Sequence, residues 1–577
     1  MMLFLKSFYL FSCPISLYNI PFLFEFLIFI VSIFYLIFCC SNYFLKNNFI
    51  FYLYSYVRYF LLVITLLSIF LFISSKNIEF EFFFNNNLSN DFFSTFFKIL
   101  ILLSCYLSFY QYSFFILRHK KSWKSIVEFP FLFLGSILFL LLLLTVQDLF
   151  LMVLCIIGMS ICLYALLASN SIFGRLSREA CIKYFIMSAL SSGLLLGGVK
   201  EIYLLCGSTN FTIINNFLIW KISNFSNIYE FYNFKIGLFF IFAGFLFKLS
   251  AAPSHFWSPE IYEGIPYSLM SFIVLPIKLA ISVVFIKIFK SIFFINTLNS
   301  VINYIILNEI ETFILFVIVL SMIIGGINAL FEQKIKRFLA YSSINQIGFL
   351  FIGLLGYDSS FYGIQAFLYF IIIYVLNLSI FFLLIFWYTL NFPVYSSKTS
   401  LKFLNNRFVE FNYVSDFKNF FWIFKNLNFS KEILPFYAFW LLFVLVLFSL
   451  AGIPPLAGFF SKFYILLYAF KLKYWFIIFI GIIVSIISAY YYLRILKIAF
   501  FEMPKAISFS SATIDFSLNN EILTAVKNYS NICKQHASIF NFLILFVSLF
   551  FITFVFFDNF LINFTFKLTQ SFFILGF

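Results

Sequence analysis

Three lysines lie deep inside apolar segments of the chain, where a charge is costly. Lys248, Lys278 and Lys462 each have long apolar runs on both sides. A charge at the centre of a bilayer costs several kcal/mol, so an intramembrane lysine marks an ion or proton path by default. Lys248 lies on the order of 14–18 Å from either end of its segment, beyond the reach of a snorkelling side chain. Because a buried lysine can release and regain a proton when nearby charges move, the three predict a proton relay.

Prolines are expected to break the helix beside two of these lysines. Pro253 follows Lys248, and Pro454 with Pro455 precedes Lys462. Proline removes a helix hydrogen bond, and broken helices at corresponding places in two halves are typical of an ion path at the membrane midplane. His255 lies seven residues after Lys248, about two turns along the same helix face, so it joins the predicted relay. A purely structural histidine is the alternative.

The composition indicates a helical membrane protein. The 577 residues are 64% hydrophobic and 10% charged, with a mean hydropathy of +1.06. A soluble domain needs far more charge to cover its surface. In lipid the backbone must satisfy its own hydrogen bonds, and runs that are apolar in every position exclude the alternating strands of a barrel. The predicted fold class is therefore all-α, a polytopic membrane protein.

Segments of roughly 20 apolar residues, the length needed to cross a bilayer, predict about 14 transmembrane helices. The predicted spans lie near residues 16–40, 50–75, 92–117, 129–147, 148–169, 180–205, 235–257, 265–292, 310–330, 336–356, 360–388, 433–470, 473–500 and 537–565.

The charge distribution fits this span count. The net charge is +15, and the 37 Lys and Arg residues are concentrated in the loops after odd-numbered spans, as the positive-inside rule expects. The basic residues of two such loops are Arg118, Lys120, Lys121 and Lys124, and Lys334, Lys336 and Arg337. The charge thus indicates a lipid bilayer rather than nucleic acid as the partner, with both termini away from the matrix or cytoplasm. The nine cysteines are scattered without a CxxC pair, which indicates neither a metal site nor a disulfide framework.

Three motifs carry a resemblance to a known family. They are FKLSAAPSHFWSPEIYEGIP at 247–266, IKRFLAYSSINQIGF at 335–349 and SLAGIPPLAGFFSKFY at 449–464. In this order they resemble the subunit 2 family of NADH:quinone oxidoreductase, complex I, over roughly residues 129–505. The resemblance implies an antiporter-like fold with discontinuous helices and two inverted five-helix repeats, at 129–292 and 293–505. Residues 1–128 would then form three N-terminal helices, and 506–577 a loop and a last helix.

The resemblance also implies a function and a site. It implies a subunit that translocates protons through Lys248, Lys278, Lys462 and His255, coupled to electron transfer elsewhere. No cofactor is expected in this chain, because it has no Gly-rich nucleotide loop and no cysteine cluster for iron–sulfur ligation. FMN, iron–sulfur clusters and quinone would belong to partner subunits, and the chain would contact other membrane-arm subunits of complex I. The 98 phenylalanines suggest an AT-rich organelle gene, hence a mitochondrially encoded, multi-pass protein of the mitochondrial inner membrane.

One position departs from the family pattern. Ile157 stands where the family has a glutamate that modulates the central lysine. Glu201, in the next span, is a candidate substitute, although it could simply pair with Lys200. Three other intramembrane charges, Glu25, Arg58 and Lys98, are predicted to lie near span ends or interfaces.

Other classes remain open from the sequence. They are a subunit of a multisubunit cation/proton antiporter, a plastid NDH-type subunit, and a purely structural membrane-arm subunit, which the loss of the glutamate at Ile157 raises.

Overall fold

The structure is a computed structural model and describes residues 23–41, 47–74, 81–83, 87–118, 123–169, 174–222, 228–293, 301–356, 361–391, 413–417, 433–502 and 558–572. It is a bundle of long helices, which confirms the all-α prediction. Among the described residues, 10 helices are long and apolar enough to cross a membrane.

The helices of the first half follow the predicted spans closely. They are α1 (Leu23–Ser41), α2 (Asn47–Ser74), α3 (Phe92–Arg118), α4 (Trp123–Thr145), α5 (Leu149–Ser169), α6 (Arg175–Cys206), α7 (Phe211–Ile222), α8 (Ile228–Leu249), α9 (Trp257–Gly264), α10 (Tyr267–Phe272) and α11 (Lys278–Phe293). The short helix α7 was not predicted. A π-helical turn, Ile273–Ile277, joins α10 to α11 at Pro276, which has no N–H to donate.

The second half repeats this style of packing. Its helices are α12 (Val301–Phe331), α13 (Ile335–Ile352), α14 (Phe361–Asn391), α15 (Ile433–Ala451), α16 (Ala457–Lys471), α17 (Trp475–Phe500) and α18 (558–572). The predicted spans 235–257 and 433–470 are both broken, as their prolines suggested. Of the last predicted span, residues 537–557 lie outside the described part, and α18 runs beyond the predicted end at 565.

Loops that the prediction placed on one side of the membrane meet at one end of the bundle. A small antiparallel hairpin, β1 (Glu81–Phe83) with β2 (Leu88–Asn90), precedes α3 and forms the only sheet among the described residues. Bridges join Leu88 to Val146 and Asp148 to Asn210. We call this the hairpin end. It collects the loops after predicted spans 2, 4 and 6, as an alternating up-and-down path requires.

The opposite end collects loops after odd-numbered spans. Lys334 forms a bridge with Tyr413, and the Val414 N–H donates to the Gln333 carbonyl at 2.9 Å. The carboxylate of Glu263 pairs with Lys334 here, so we call this the clamp end. Lys334, Lys336 and Arg337, the basic residues of one predicted inside loop, therefore lie at this end, in agreement with the charge rule.

The centre of the bundle is the segment Tyr267–Phe289, which is wholly buried. Helix α14 is almost as enclosed, whereas α6 and α17 expose most of their surface. Apolar residues such as Phe476 and Phe479 on α17 are more than 60% exposed. Exposed apolar side chains of this kind are expected on a surface that faces lipid or a partner subunit. The lysine Lys278 thus lies on the most enclosed element of the molecule.

Candidate functional site: buried lysines at two broken helices

Lys248 lies at the end of α8, where the helix breaks. The helix stops at Leu249, Ser250 adopts a positive φ of 60°, and helix resumes only at Trp257. The Trp257 indole donates to the Phe247 carbonyl at 2.9 Å, which satisfies one of the acceptors left by the break. The break predicted at Pro253 is confirmed. The Lys248 ammonium is buried and makes no hydrogen bond with any described residue.

Lys278 opens α11 directly after the π-helical turn. Its ammonium donates to the hydroxyls of Ser343 at 2.9 Å and Ser250 at 3.2 Å, and lies 5.7 Å from the ring centroid of Tyr262. Ser250 belongs to the break in α8, so the break supplies a ligand to the second lysine. Ser343 belongs to α13, in the other half of the chain.

One small cavity brings Lys248 and Lys278 together. Its volume is about 20 Å³, enough for about one water, and its lining includes Met159, Ser188, Ser191, Lys248 and Lys278. Like charges that share a site disfavour each other's ionisation. A proton on one lysine therefore weakens the hold of the other on its own proton, which is the property that a two-step relay needs.

Lys462 lies beside the second break, between α15 and α16. Its ammonium donates to the Ala451 carbonyl at 2.8 Å, the Leu450 carbonyl at 3.4 Å and the Ser488 hydroxyl at 3.0 Å. The two carbonyls are among those left without helical partners at the C-terminus of α15, where the helix dipole favours a cation. The predicted break at Pro454 and Pro455 is confirmed.

Close backbone contact fixes the second break. Gly452 has a positive φ of 86°, and a Cβ on Gly458 would lie 1.6 Å from the Ser449 carbonyl oxygen. Only glycine permits α16 to begin this close to the last turn of α15. This approach brings Lys462 within reach of the carbonyls that end α15.

His255 is not on a continuous helix with Lys248. The prediction that both lie on one helix face is wrong, because α8 ends at Leu249 and residues 251–256 form turns. The His255 ring lies beside the Pro253 carbonyl, with Nδ1 at 3.2 Å, and its centroid is 6.4 Å from that of Tyr341. His255 is outside the set of residues that line the cavity. Its role in the relay stays a prediction.

Glu201 lies away from Lys248. Its Cβ would be 3.1 Å from a Cβ on Gly237, and its carboxylate is 3.8 Å from the Lys200 ammonium. Gly237 precedes Lys248 by eleven residues on α8, about 16 Å along the axis. The two groups therefore form no ion pair, and Glu201 does not take the place of the carboxylate missing at Ile157 by direct contact.

Two charges predicted to lie near span ends or interfaces do lie near helix ends, and they form a buried ion pair. Lys98 on α3 lies 2.7 Å from the Glu25 carboxylate on α1, with side chains 1% and 5% exposed. Glu25 lies in the first turn of α1 and Lys98 in the second turn of α3, and both side chains are buried although they lie near helix ends. Lys98 also donates to the Asn90 side chain at 2.9 Å. Arg58, the third of these charges, stacks over the rings of Tyr59, Tyr110 and Phe114.

Sequence reasoning also missed a fourth enclosed lysine. Lys287 on α11 is 6% exposed and donates to the Leu144 carbonyl at the end of α4. Asp91 and Lys98 lie within its electrostatic range. Its position inside the predicted span 265–292, nine residues after Lys278, was the available signal. Nine residues turn a helix by about 180°, so Lys287 faces the N-terminal helices rather than the cavity.

An ionic cluster at the clamp end joins the two halves of the chain. The Glu263 carboxylate on α9 accepts from Lys334 and, at 2.5 Å, from Arg337 on α13. Partial burial raises the pKa of Glu263, but these two cations outweigh that effect and hold it below its ordinary range. The ionised carboxylate therefore stabilises the fold at neutral pH.

Replacing Glu263 with glutamine is expected to lower stability at pH 7 by on the order of 1 kcal/mol, because this partly exposed cluster is screened by solvent. A lowered carboxyl pKa contributes stability above the ordinary value of about 4.3, and that contribution is lost as the pH falls through the lower folded value. The thermal midpoint of the solubilised assembly should fall more steeply below about pH 4.3 for the parent than for Glu263→Gln. Parallel pH profiles would contradict this.

A polytopic helical bundle with two broken helices, each beside a buried lysine, has the features of a membrane transport subunit. Residues 146–488 match the family model of the transmembrane domain of NADH:quinone oxidoreductase and Mrp antiporter subunits. The chain belongs to this family.

Curated relatives and a solved structure agree with this assignment. The chain is 34% identical over 426 residues to NADH-ubiquinone oxidoreductase chain 2 of Marchantia polymorpha, covering 73% of this chain and 76% of that protein. It is 32% identical over 428 residues to NADH-quinone oxidoreductase subunit N of Pelagibacter ubique, covering 73% and 78%. Its fold is similar to a chain of respiratory complex I from Thermus thermophilus, with a TM-score of 0.60 at 21% identity, covering 84% of this chain and 91% of that one. The resemblance seen in the three motifs is confirmed.

Proposed function

We infer that the chain is a proton-translocating subunit in the membrane arm of complex I. The observation that carries this inference is the cavity shared by Lys248 and Lys278 at the break in α8. Two relatives that are at least 32% identical carry the names of NADH–quinone or NADH–ubiquinone oxidoreductase subunits. A pair of enclosed lysines without a carboxylate partner is chemistry suited to moving protons.

The contacts suggest how the two lysines differ in their hold on a proton. The Lys278 ammonium has two hydroxyl acceptors, whereas that of Lys248 has none among the described residues. A protonated Lys278 therefore has two oxygen acceptors at hand, whereas a protonated Lys248 needs water in the cavity as its acceptor. A proton that reaches Lys248 through water in the cavity passes readily to a neutral Lys278. A charge shift nearby that reverses this preference would drive the next transfer.

Redox chemistry in this proposal belongs to other subunits. FMN, iron–sulfur clusters and quinone would be held there, and this chain would respond to charge movements that reach it through neighbouring membrane-arm subunits. The two repeats, 129–292 and 293–505, would each supply one lysine at a broken helix, Lys248 in the first and Lys462 in the second. A mitochondrial inner-membrane location and a mitochondrial gene are part of the same proposal, supported by the phenylalanine-rich composition.

Vesicles that contain the intact assembly would test the proposed function. We expect NADH oxidation to acidify one side, with a proton-to-electron ratio that is independent of sodium and that falls in Lys278→Met. Lys278→Met removes the ammonium held by Ser250 and Ser343 while keeping most of the side-chain volume. The exposed Lys200→Met is the matched control.

Other results would favour the alternatives. A pH change that requires a sodium gradient and no NADH would indicate a cation/proton antiporter subunit. Copurification with photosystem I would indicate a plastid complex. An unchanged ratio in Lys278→Met would leave only a structural role.

A further inference from the structure

We propose that a cluster of buried tyrosine hydroxyls, bridged by water, carries protons between Lys278 and Lys462. The cluster consists of Tyr262 on α9, Tyr374 on α14, and Tyr491 and Tyr492 on α17, and we call it the tyrosine bridge. The proposal rests on the proposed function and deepens it, because it assigns a route between the lysines of the two halves. All four residues are at most 8% exposed.

The bridge begins at Ser343. Its hydroxyl accepts a hydrogen bond from Lys278 at 2.9 Å. The hydroxyls of Tyr262 and Tyr374 both lie close to the same serine. Ser343 donates its own hydrogen to the Ala340 carbonyl, which leaves its oxygen free to accept from the Lys278 ammonium. Two phenols thus converge on the group that binds the lysine.

The middle of the bridge crosses from α14 to α17. Tyr374 lies within electrostatic range of both Tyr262 and Tyr492. The rings of Tyr491 and Tyr492 are 4.7 Å apart, and the Tyr491 hydroxyl accepts from the Asn345 side chain at 3.3 Å. Phenols from three separate helices therefore form one polar patch in a region that is otherwise packed with apolar side chains.

The bridge ends at the Lys462 site. Ser488 precedes Tyr491 and Tyr492 by three and four residues, so all three lie on the same face of α17. The Ser488 hydroxyl accepts from the Lys462 ammonium at 3.0 Å. Each end of the cluster is thus a serine that already binds one of the two lysines.

Unpartnered polar atoms inside the cluster indicate that water binds there. The hydroxyls of Tyr262 and Tyr374 and the side-chain oxygen of Asn345 are buried and make no hydrogen bond with any described residue. A buried polar atom is costly unless it is paired, and such atoms are ordinarily satisfied by internal water that makes about three hydrogen bonds. Tyr262 and Tyr374 lie close to Ser343, and Asn345 on the same helix contacts Tyr491, so water bound at these atoms would extend from Ser343 towards Tyr491.

A hydroxyl group can pass a proton on because it donates and accepts at once. The Lys278 ammonium releases a proton to a bound water, each hydroxyl or water in turn accepts one proton on oxygen and donates its own, and neutral Lys462 takes up the last. One proton leaves Lys278, one arrives at Lys462, and no electron is transferred. A tyrosine that serves only to pack the core does not need its hydroxyl, whereas a tyrosine that transfers protons does. Removing the hydroxyl alone therefore distinguishes packing from proton transfer.

The decisive variant is Tyr374→Phe, which removes the hydroxyl and keeps the ring. In vesicles of the intact assembly we expect its proton-to-electron ratio to fall to that of Lys462→Met, while NADH oxidation and assembly persist. The matched control is Tyr112→Phe, a tyrosine of α3 that is equally buried against Phe129 and lies outside the bridge. Its ratio should equal that of the parent.

The outcomes separate this proposal from the proposed function. If Lys278→Met and Lys462→Met lower the ratio but Tyr374→Phe does not, the bridge is overturned and the proposed function stands. If none of the three changes the ratio, the proposed function itself fails. Infrared difference spectra of assembly labelled with ring-deuterated tyrosine give a second measurement, in which Tyr374→Phe should remove a tyrosine band that appears on NADH addition. Absence of any tyrosine band in the parent would also overturn the bridge.

Discussion

Replacing Lys248 with methionine is expected to reduce proton translocation through this subunit at least tenfold. Methionine fills a similar volume but cannot bind a proton, so Lys278, the other amine that lines the cavity, would have to receive its proton without the first step of the relay. A tenfold loss corresponds to about 1.4 kcal/mol in the barrier, far less than the several kcal/mol needed to move a bare proton across an apolar gap. The loss of proton translocation should therefore exceed tenfold.

Vesicles of the intact assembly would show this as a fall in the proton-to-electron ratio. NADH oxidation should continue, because the redox groups are expected in partner subunits. The exposed Lys200→Met is the control for a lost positive charge on a neighbouring helix. A ratio in Lys248→Met equal to that of the control would show that this lysine is not on the path.

The breaks and their lysines could be predicted because the signal is local. Pro253, Pro454 and Pro455 each remove a helix hydrogen bond and disfavour a continuous helix, and the lysine beside each break was visible as a charge far from water. The continuous apolar runs likewise predicted the positions of most of the described long helices. Local chemistry thus predicted most of the fold and the three central lysines.

The predicted placements of His255 and Glu201 failed because the positions of these side chains depend on tertiary packing and on the path of the chain after the helix break. The relation of His255 to Lys248 assumed a continuing helix, but the chain between them turns and redirects the ring towards Tyr341. A proline shows that a helix ends and does not show the direction in which the chain leaves. Placing Glu201 required the contact between α6 and α8, which glycines at 198 and 237 set and no local pattern reveals.

The polar groups of the tyrosine bridge could not have been found from sequence alone. Its tyrosines come from α9, α14 and α17, and each tyrosine taken alone resembles an ordinary aromatic core residue. Only the packing of these helices brings the hydroxyl of Tyr374 near Ser343 and Tyr492. In a protein this rich in aromatic residues, the chemistry of a tyrosine depends on whether its hydroxyl meets polar neighbours.

The buried pair of Lys98 and Glu25 leads to the largest expected effect on stability. Removing one partner leaves the other charge enclosed and uncompensated, which typically costs about 3–5 kcal/mol. We therefore expect Glu25→Gln to destabilise the docking of α1 on the bundle by about this amount. Lys98→Met should cost as much, since it leaves the carboxylate of Glu25 without its cation.

The double variant separates an ion pair from two independent contributions. Replacing both residues, Glu25→Gln with Lys98→Met, removes both charges and should recover much of the loss, because a buried pair itself contributes little net stability. Thermal midpoints of the solubilised assembly, together with protease cleavage of α1, would measure the cycle. The exposed pair Arg175–Glu179 is the control, since Arg175→Gln should change stability by less than about 1 kcal/mol. Additive losses in the double variant would show that the two charges do not act as a pair, and that the N-terminal helices are held to the bundle by apolar packing alone.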